Sequence, residues 1–313
     1  MLQSYGGPQF RLVLAILVLI CSAASLLYLA REPTFATELP GQYDLREVEE
    51  YLEAALEIDP PPDAPPYGAV VIAAQSTTDL HWTMFTKVTW QVYAYDVDQP
   101  SNPDIRLQFP KSKGHEAMIY LSFIIDHYDD LPWCTVFIHG NESEPWHQGV
   151  NMVEAISGLQ RVPLARQGYV SLRCEWYTSC PTEDQPPKSL EALVSDLEAV
   201  TKGTQATING NWHQLFPHEP LPPTFVAPIG AQFAVTRQAI LRRPKSDYER
   251  LRSWLLTTLL EDDLSGRVFE QLWAYIFLQE PVHCPSVDKC TCEWFGRCDT
   301  NALDRHLGID SSN

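Results

Sequence analysis

Residues 110–140 read PKSKGHEAMIYLSFIIDHYDDLPWCTVFIHG. Lys111, Lys113 and Gly114 make a basic, flexible approach to a helix. Glu116 stands in its first turn, where a carboxylate suits the positive end of the helix dipole. Met118, Leu121, Ile125 and Tyr128 follow at helical spacing, and Ala117 and Ile124 widen the apolar stripe. Residues 129–132, DDLP, stop the helix, because proline disfavours helical geometry in the residue before it. Residues 133–138 are a short apolar run rich in β-formers, the pattern of a strand buried on both faces. The run ends at His139-Gly140, and Asn141, Glu142, Trp146 and His147 follow in a polar loop. In open α/β sheets ligands bind at the carboxyl ends of strands, so residues 139–147 form a candidate site with the Lys-Gly approach beside it. A helix followed by a buried strand is also what any α/β domain contains, so function rests on the polar residues at the strand ends.

The same alternation extends outward. Residues 69–74, AVVIAA, read as a buried first strand, and a helix is expected around 80–85. Residues 90–95 read as a second strand that ends in Asp96-Val97-Asp98, and 105–109 as a short edge strand. Beyond the central unit, the pattern predicts helices at 152–159 and 190–200, a strand at 168–172, and two helices at 248–260 and 266–278. Residues 207–223 read as a long polar loop containing Trp212, His213 and His218, and 225–235 as backbone near a ligand leading into a strand. Strands separated by helices predict an α/β fold with a mainly parallel sheet flanked by helices.

The 313-residue chain carries 40 acidic against 22 basic residues, a formal charge of -18, which argues against a nucleic-acid partner. Residues 12–30, LVLAILVLICSAASLLYLA, carry no charge and suffice to span a bilayer, for which about 20 apolar residues are needed. Arg11 precedes the run and an acidic stretch lies beyond Arg31, which favours a cytoplasmic N-terminus. The run is longer than a signal-peptide core and lacks an A-x-A site, so an uncleaved anchor is preferred to a cleaved leader. The expected organisation is a tail (1–11), an anchor (12–30), a stem ending in a stiff proline-rich spacer (31–66), a luminal domain (67–283) and a Cys-rich segment (284–313). Cysteine usage fits an oxidising compartment. Cys134 reads as a buried free thiol, Cys174 and Cys180 as a local disulfide. Cys284, Cys290, Cys292 and Cys298 allow three pairings; their C-x5-C-x-C-x5-C spacing disfavours zinc, which prefers paired C-x-x-C. Asn141 heads the sequon NES, which carries a glycan only in the lumen.

The motifs KSKGHEAMIYLSFIIDHYDDLPWCTVFIHG, Trp146-His147, GAQFAVTRQAILRRP and FEQLWAYIF resemble a fungal family of membrane-anchored proteins of unknown function, domain of unknown function 3431. The resemblance covers most of the luminal chain and supplies no activity. More distantly, the order of motifs looks like the GT-A type of nucleotide-sugar-dependent glycosyltransferases, with a Rossmann-like sheet. That resemblance implies that Lys113, Gly114 and Glu116 lie beside a sugar nucleotide. It also implies that the segment with Gly230 and Gln232 opens onto an acceptor, and that Glu270 and Trp273 follow on a helix. The D-x-D of such enzymes is missing after residue 139; Asp96-Val97-Asp98 stands after the preceding strand instead.

These residues define an expected site. Asp96, Asp98 and His139 are the candidate ligands for Mn2+ or Mg2+, which prefer carboxylate oxygen: either Asp96 and Asp98 reach the site, or His139 and Glu142 substitute, or the site is metal-free and cationic. Lys113 and Gly114 would meet phosphate at a helix N-terminus. Glu116 would bind a sugar hydroxyl, and Trp146, Trp212 and Trp273 would stack on sugar rings. Glu270 would be the general base that deprotonates an acceptor hydroxyl. The expected function is a glycosyltransferase-like, single-pass type II membrane protein of the Golgi or endoplasmic reticulum. The alternative is a non-catalytic luminal module that binds glycans or a partner protein. No G-x-S-x-G or H-E-x-x-H motif supports a hydrolase.

Overall fold

The computed structural model describes residues 58–100, 102, 106–140, 152–174, 180 and 191–298. All belong to the second of the two units into which the chain divides, Ala54–Asn313. The expected tail, anchor, most of the stem, and Asn141, Glu142, Trp146 and His147 lie outside the described residues. Among the described residues no helix is long and apolar enough to cross a membrane.

Five strands form one sheet in the order β2-β1-β3-β5-β4. They are β1 (Ala69–Ala74), β2 (Gln91–Asp96), β3 (Cys134–His139), β4 (Tyr169–Ser171) and β5 (Phe233–Thr236). β1 lies between β2 and β3 and runs parallel to both, so its AVVIAA run is buried on both faces. β5 runs against both β3 and β4. The sheet is therefore mixed rather than mainly parallel. The chain beyond β5 accords with the reversal: Thr236 ends the strand and its hydroxyl accepts from Ala239 N at 3.2 Å, capping a helix that starts at once. A four-residue apolar run carries no mark of strand direction.

Seven α-helices with described bounds flank the sheet: α1 (Ala117–Asp126), α2 (Met152–Gly158), α3 (Arg161–Gln167), α4 (Glu191–Leu215), α5 (Arg237–Leu241), α6 (Lys245–Thr257) and α7 (Asp262–Leu278). On one face Val71, Tyr95, Phe137, Phe233 and Val235 pack against α1, α6 and α7. On the other, Val70, Ile72, Val136, Ile138 and Ala234 pack against Trp82, Trp90, α2 and the Cys-rich segment. Residues 81–85 form a 3-10 turn rather than an α-helix, and 106–109 are not a strand, although Phe109 is buried beside Tyr95.

α4 replaces most of the expected loop at 207–223. Gly203, Gly210 and the Thr/Asn residues between them lower its intrinsic helicity. Thr204, Ile208, Trp212 and Leu215 nevertheless fall at i, i+4, i+8 and i+11 and are all buried, and α4 lies against α7. Packing of that face outweighs propensity. Trp212 accordingly sits in the core against Phe216, Phe225 and Tyr275, with its Nε1 donating to Glu219 O at 2.8 Å, and offers no sugar platform.

Two segments lock the rim. The proline-rich stretch before β1 is a strap rather than a free spacer. Trp133 Nε1 donates to Asp59 O at 3.0 Å, Arg237 pairs with the Asp59 carboxylate, Arg161 donates to Pro62 O and its guanidinium lies 3.9 Å from the Tyr67 ring centre. The Cys-rich segment is tied to the chain after β4 by Cys174–Cys290 and Cys180–Cys284, with Cys292–Cys298 closing a short loop. The local Cys174–Cys180 pairing expected from spacing does not form. Cys134 is a buried free thiol whose ionisation burial pushes far up, which makes it inert.

Non-reducing peptide mapping should recover Cys174–Cys290 and Cys180–Cys284 and no Cys174–Cys180 peptide. Because the Cys174–Cys290 link spans 116 residues, its removal by Cys174→Ser/Cys290→Ser should cost about 4–5 kcal/mol in denaturant unfolding. Gly203 and Gly210 are exposed inside α4, with nothing within 4 Å of an added Cβ. Gly203→Ala and Gly210→Ala should therefore each stabilise the fold by roughly 0.5–1 kcal/mol, read as a raised Tm.

Candidate functional site

The start of α1, the end of β3 and the first half of α7 meet on one face of the sheet. Gly114 and His115 enter α1 with φ of 65° and 54°. Glycine is required at 114 by that angle and by Leu255, which a Cβ would meet at 2.5 Å. Gly266 of α7 in turn leaves room for His115, whose ring an added Cβ would meet at 2.7 Å. The strained turn is held by a 3.0 Å contact between His115 Nε2 and Asp263 in the first turn of α7. Gly114 thus lets the entry to α1 pack against Leu255 of α6, and Gly266 lets α7 approach His115 in the same turn.

Glu116 is 8% exposed, and its Oε2 lies 3.5 Å from Nε2 of His139, the last residue of β3. Its Oε1 is buried without a hydrogen-bond partner, as are the Tyr120 hydroxyl one turn further along α1 and the Trp273 Nε1 on α7. Glu270 stands one turn before Trp273. Burial above all, and then the Glu116 charge, pushes the Glu270 carboxyl above its usual range, against the opposing pull of His139, His115 and Arg267. Burial, followed by the charges of Glu116 and Glu270, pushes the Tyr120 phenol well above its ordinary value. Gly230 N donates to Glu270 O at 3.3 Å, and an added Cβ at Gly230 would meet open space. Glu116, Tyr120, His139, Gly230 and Glu270 are thus brought together. A carboxyl with raised proton affinity, beside a second carboxyl and an imidazole, is a candidate to take up and release a proton.

Other expected members are placed elsewhere. Lys113 Nζ is held by Leu260 O and by Asp262 at 3.1 Å, so its charge is spent on the start of α7. Trp273 is fully buried between Tyr120, Phe233, Phe269 and Phe277, a core residue rather than a sugar platform. Gln232 extends the β4–β5 ladder through Leu172 N at 3.0 Å, and alternation from Phe233 turns it to the sheet face away from Glu116.

The metal set divides in the same way. The register pairs His139 with Ala73 and Asp96 with Ala74, so the pleat points the two side chains to opposite faces. Asp96 and Asp98 lie around the end of β1: Asp96 Oδ2 accepts from Ser76 Oγ at 2.7 Å and Gln99 Nε2 at 3.0 Å, and Asp98 Oδ2 accepts from Ser76 N at 2.9 Å. Among the described residues no group of three or more His, Cys, Asp or Glu could hold a metal ion. Asp96 and Asp98 therefore do not join His139 in one metal site among the described residues.

Tyr120 and His115 were missed by reading motifs. A sequence signal existed for Tyr120, which lies four residues after Glu116 and therefore on the same helix face. Two cavities lie apart from this cluster. One, of about 600 Å³, lies among Glu219, Pro222, Arg243 and Tyr275; the other, of about 630 Å³, lies between the strap and α2–α3.

No curated protein and no solved structure matches the chain. A family described as "Protein of unknown function (DUF3431)" matches residues 70–293, more than two thirds of the chain, including β2 to β5 and every residue of the Glu116–Glu270 cluster. The chain belongs to that family.

Proposed function

We propose that this domain is a glycosyltransferase-like enzyme of the secretory pathway, anchored as a single-pass type II membrane protein, in which Glu270 is the general base. The observation that carries the reading is the raised proton affinity of Glu270, partly buried on α7 beside Glu116 and His139 and next to the open side of Gly230. In the proposed step the oxygen of an acceptor hydroxyl bonds to the anomeric carbon of a nucleotide-diphosphate sugar. The anomeric carbon–oxygen bond to the diphosphate breaks, the diphosphate leaves with the electron pair, and the acceptor proton passes to Glu270. A carboxylate whose proton affinity is raised is a stronger base for that transfer. His139 is placed to steady the charge of Glu116 as the proton arrives. Helices on both faces of an α/β sheet and a polar carboxyl edge support a GT-A-like reading of the fold. Three disulfides support a luminal setting.

A second reading, a non-catalytic glycan-binding module, draws on one observation. Lys113 is bound to Asp262, and Asp96 and Asp98 are turned toward Ser76, which removes three groups expected to hold a diphosphate. A thermal-shift panel of uridine and guanosine diphosphate sugars, with and without Mn2+, against a panel of free oligosaccharides separates the two. A donor present at about 100 times its Kd adds about 2.7 kcal/mol, a rise of roughly 5–10 °C in Tm for a domain of this size. A response to oligosaccharides alone would establish the binding module.

Glu270→Gln should abolish transfer and stabilise the protein at neutral pH. Because the native state raises this carboxyl's pKa, ionising it costs stability above that pKa; the cost is absent below the ordinary value of about 4.5, where both states hold the proton. The Tm difference between Glu270→Gln and the parent should therefore shrink to zero as the pH falls through that window. Retained turnover in the variant would remove Glu270 from the mechanism.

A further inference from the structure

β2 forms one margin of the sheet, with β1 as its neighbour on the inner side. Gln91 N donates to Gly68 O at 2.9 Å and Val97 N to Ala74 O at 2.8 Å, so every second residue of β2 faces β1. Val92, Ala94 and Asp96 therefore turn their amide and carbonyl groups outward, and among the described residues no backbone group pairs with them. Phe109, in the loop that follows, packs against Tyr95 on the α1 face and not across this edge. Natural edge strands are blunted by proline, lysine, bulges or brevity. β4, at the opposite margin, is three residues long, wholly buried, and followed by the chain that the disulfides clamp. β2 has six residues, pairs with β1 without a bulge, and reads QVYAYD, with no lysine, proline or glycine.

The amino end of the same edge carries exposed apolar side chains. Met84, Phe85 and Val88 are 60%, 66% and 79% exposed, on the 3-10 turn and the turn after it that lead into β2. Charged groups flank them: Asp79, whose carboxylate accepts from His81 N at 2.9 Å, and Lys87. An apolar patch with a polar rim, beside unpaired backbone, is the composition of a protein interface. The two ends of β2 differ in sign. Lys87 is exposed before its amino end, and Asp98 is exposed after its carboxyl end. A strand of the same sequence laid antiparallel against β2 brings base to acid at both ends. With Ala94 on the axis, Ala94 falls opposite Ala94, Val92 opposite Asp96 and Tyr93 opposite Tyr95, so no like charges are opposed.

We infer that β2 pairs with β2 of a second copy of this chain, antiparallel about a twofold axis at Ala94, joining two five-stranded sheets into one. Each copy offers one such edge, so the assembly closes at two chains. Met84, Phe85 and Val88 then lie beside residues 97–100 of the second copy. The strands of the two copies run in opposite senses, so their Glu116–Glu270 clusters lie at opposite margins of the joined sheet and the pairing covers neither. The pairing is independent of the reading under Proposed function.

The test measures the protein mass per particle of the full chain in a mild detergent, by light scattering that separates protein from detergent. The parent should hold two chains per particle at micromolar concentration. Ala94→Pro removes an outward N–H, and Ala94→Lys sets two ammonium groups against each other at the axis, on a side chain that is exposed in the single copy. Both leave the bonds to β1 in place, and both should give one chain per particle with unchanged circular dichroism. In amide hydrogen exchange the Val92 and Ala94 amides of the parent should be protected at that concentration and lose protection on dilution. That measurement decides the matter in the parent even where a variant fails to fold. One chain per parent particle, or fast exchange at Val92 and Ala94, overturns the pairing. Two chains per particle retained by folded Ala94→Lys place the contact elsewhere and overturn it, and more than two in the parent overturn the twofold closure.

Discussion

The fold depends on one block of aromatic rings. Tyr120 of α1, Phe137 of β3, Phe233 of β5 and Trp273 of α7 lie with ring centres 4.7–5.9 Å apart along their contacts, and Phe277, Phe269 and Tyr169 extend the block. The first four rings come from four different elements, so the block joins the parallel half of the sheet, the reversed strand and the two helices that carry the carboxylates. Burial of such rings contributes about 2–3 kcal/mol apiece before any geometric preference is counted. It also fixes the polar cluster: Glu116 is one turn from Tyr120 and Glu270 one turn from Trp273, so the rings that stabilise the core set the spacing of the groups above it.

Reversal of β5 is tied to the same packing. The register places Phe233 opposite Phe137 and Val235 opposite Thr135, which puts both apolar side chains of β5 against α1 and α7 while Ala234 faces the Cys-rich side. That second side is thin in secondary structure, and the disulfides from the chain after β4 to Cys284 and Cys290 hold the segment bearing Trp294 and Phe295 over it. A covalent clamp substitutes there for the long helices of the opposite face.

The sequence carried β1, β3 and α1 plainly, because AVVIAA and CTVFIH are continuous apolar runs and residues 117–126 keep helical spacing. It did not carry strand direction for FAVT, nor the helix at Thr207–Leu215, where glycine and threonine disguise a buried Ile208–Trp212–Leu215 stripe. Disulfide partners were unreadable since Cys174 meets Cys290 only after the chain has built β5 and four further helices. Of the residues the structure brings together, Glu116 and His139 were singled out by type and position at element ends, and Glu270 by the resemblance of its helix motif. Lys113 misled because a lysine before a helix reads the same whether it faces a ligand or the carboxylate of another helix, here Asp262. Asp96 and His139 misled because sequence gives no register, and a one-residue offset across β1 turns them to opposite faces.

Two shielded glutamates meet burial with opposite outcomes. Glu219 faces the nearly buried Arg243, which grips both its oxygens, and Tyr275 donates a third bond. Burial opposes its ionisation, yet these bonds and the guanidinium charge outweigh burial and hold its carboxyl below the usual range, so the ionised form stabilises the native state. Glu270 is sheltered too, with the opposite outcome. Its strongest electrostatic neighbour is another carboxylate, and the histidines and Arg267 do not offset burial, so its charge costs the fold free energy. A core glutamine or leucine at 270 would serve packing better. That cost, on a helix lying beside an unpartnered Glu116 oxygen and the Tyr120 phenol near the carboxyl end of β3, is what the proposal of Glu270 as a base rests on.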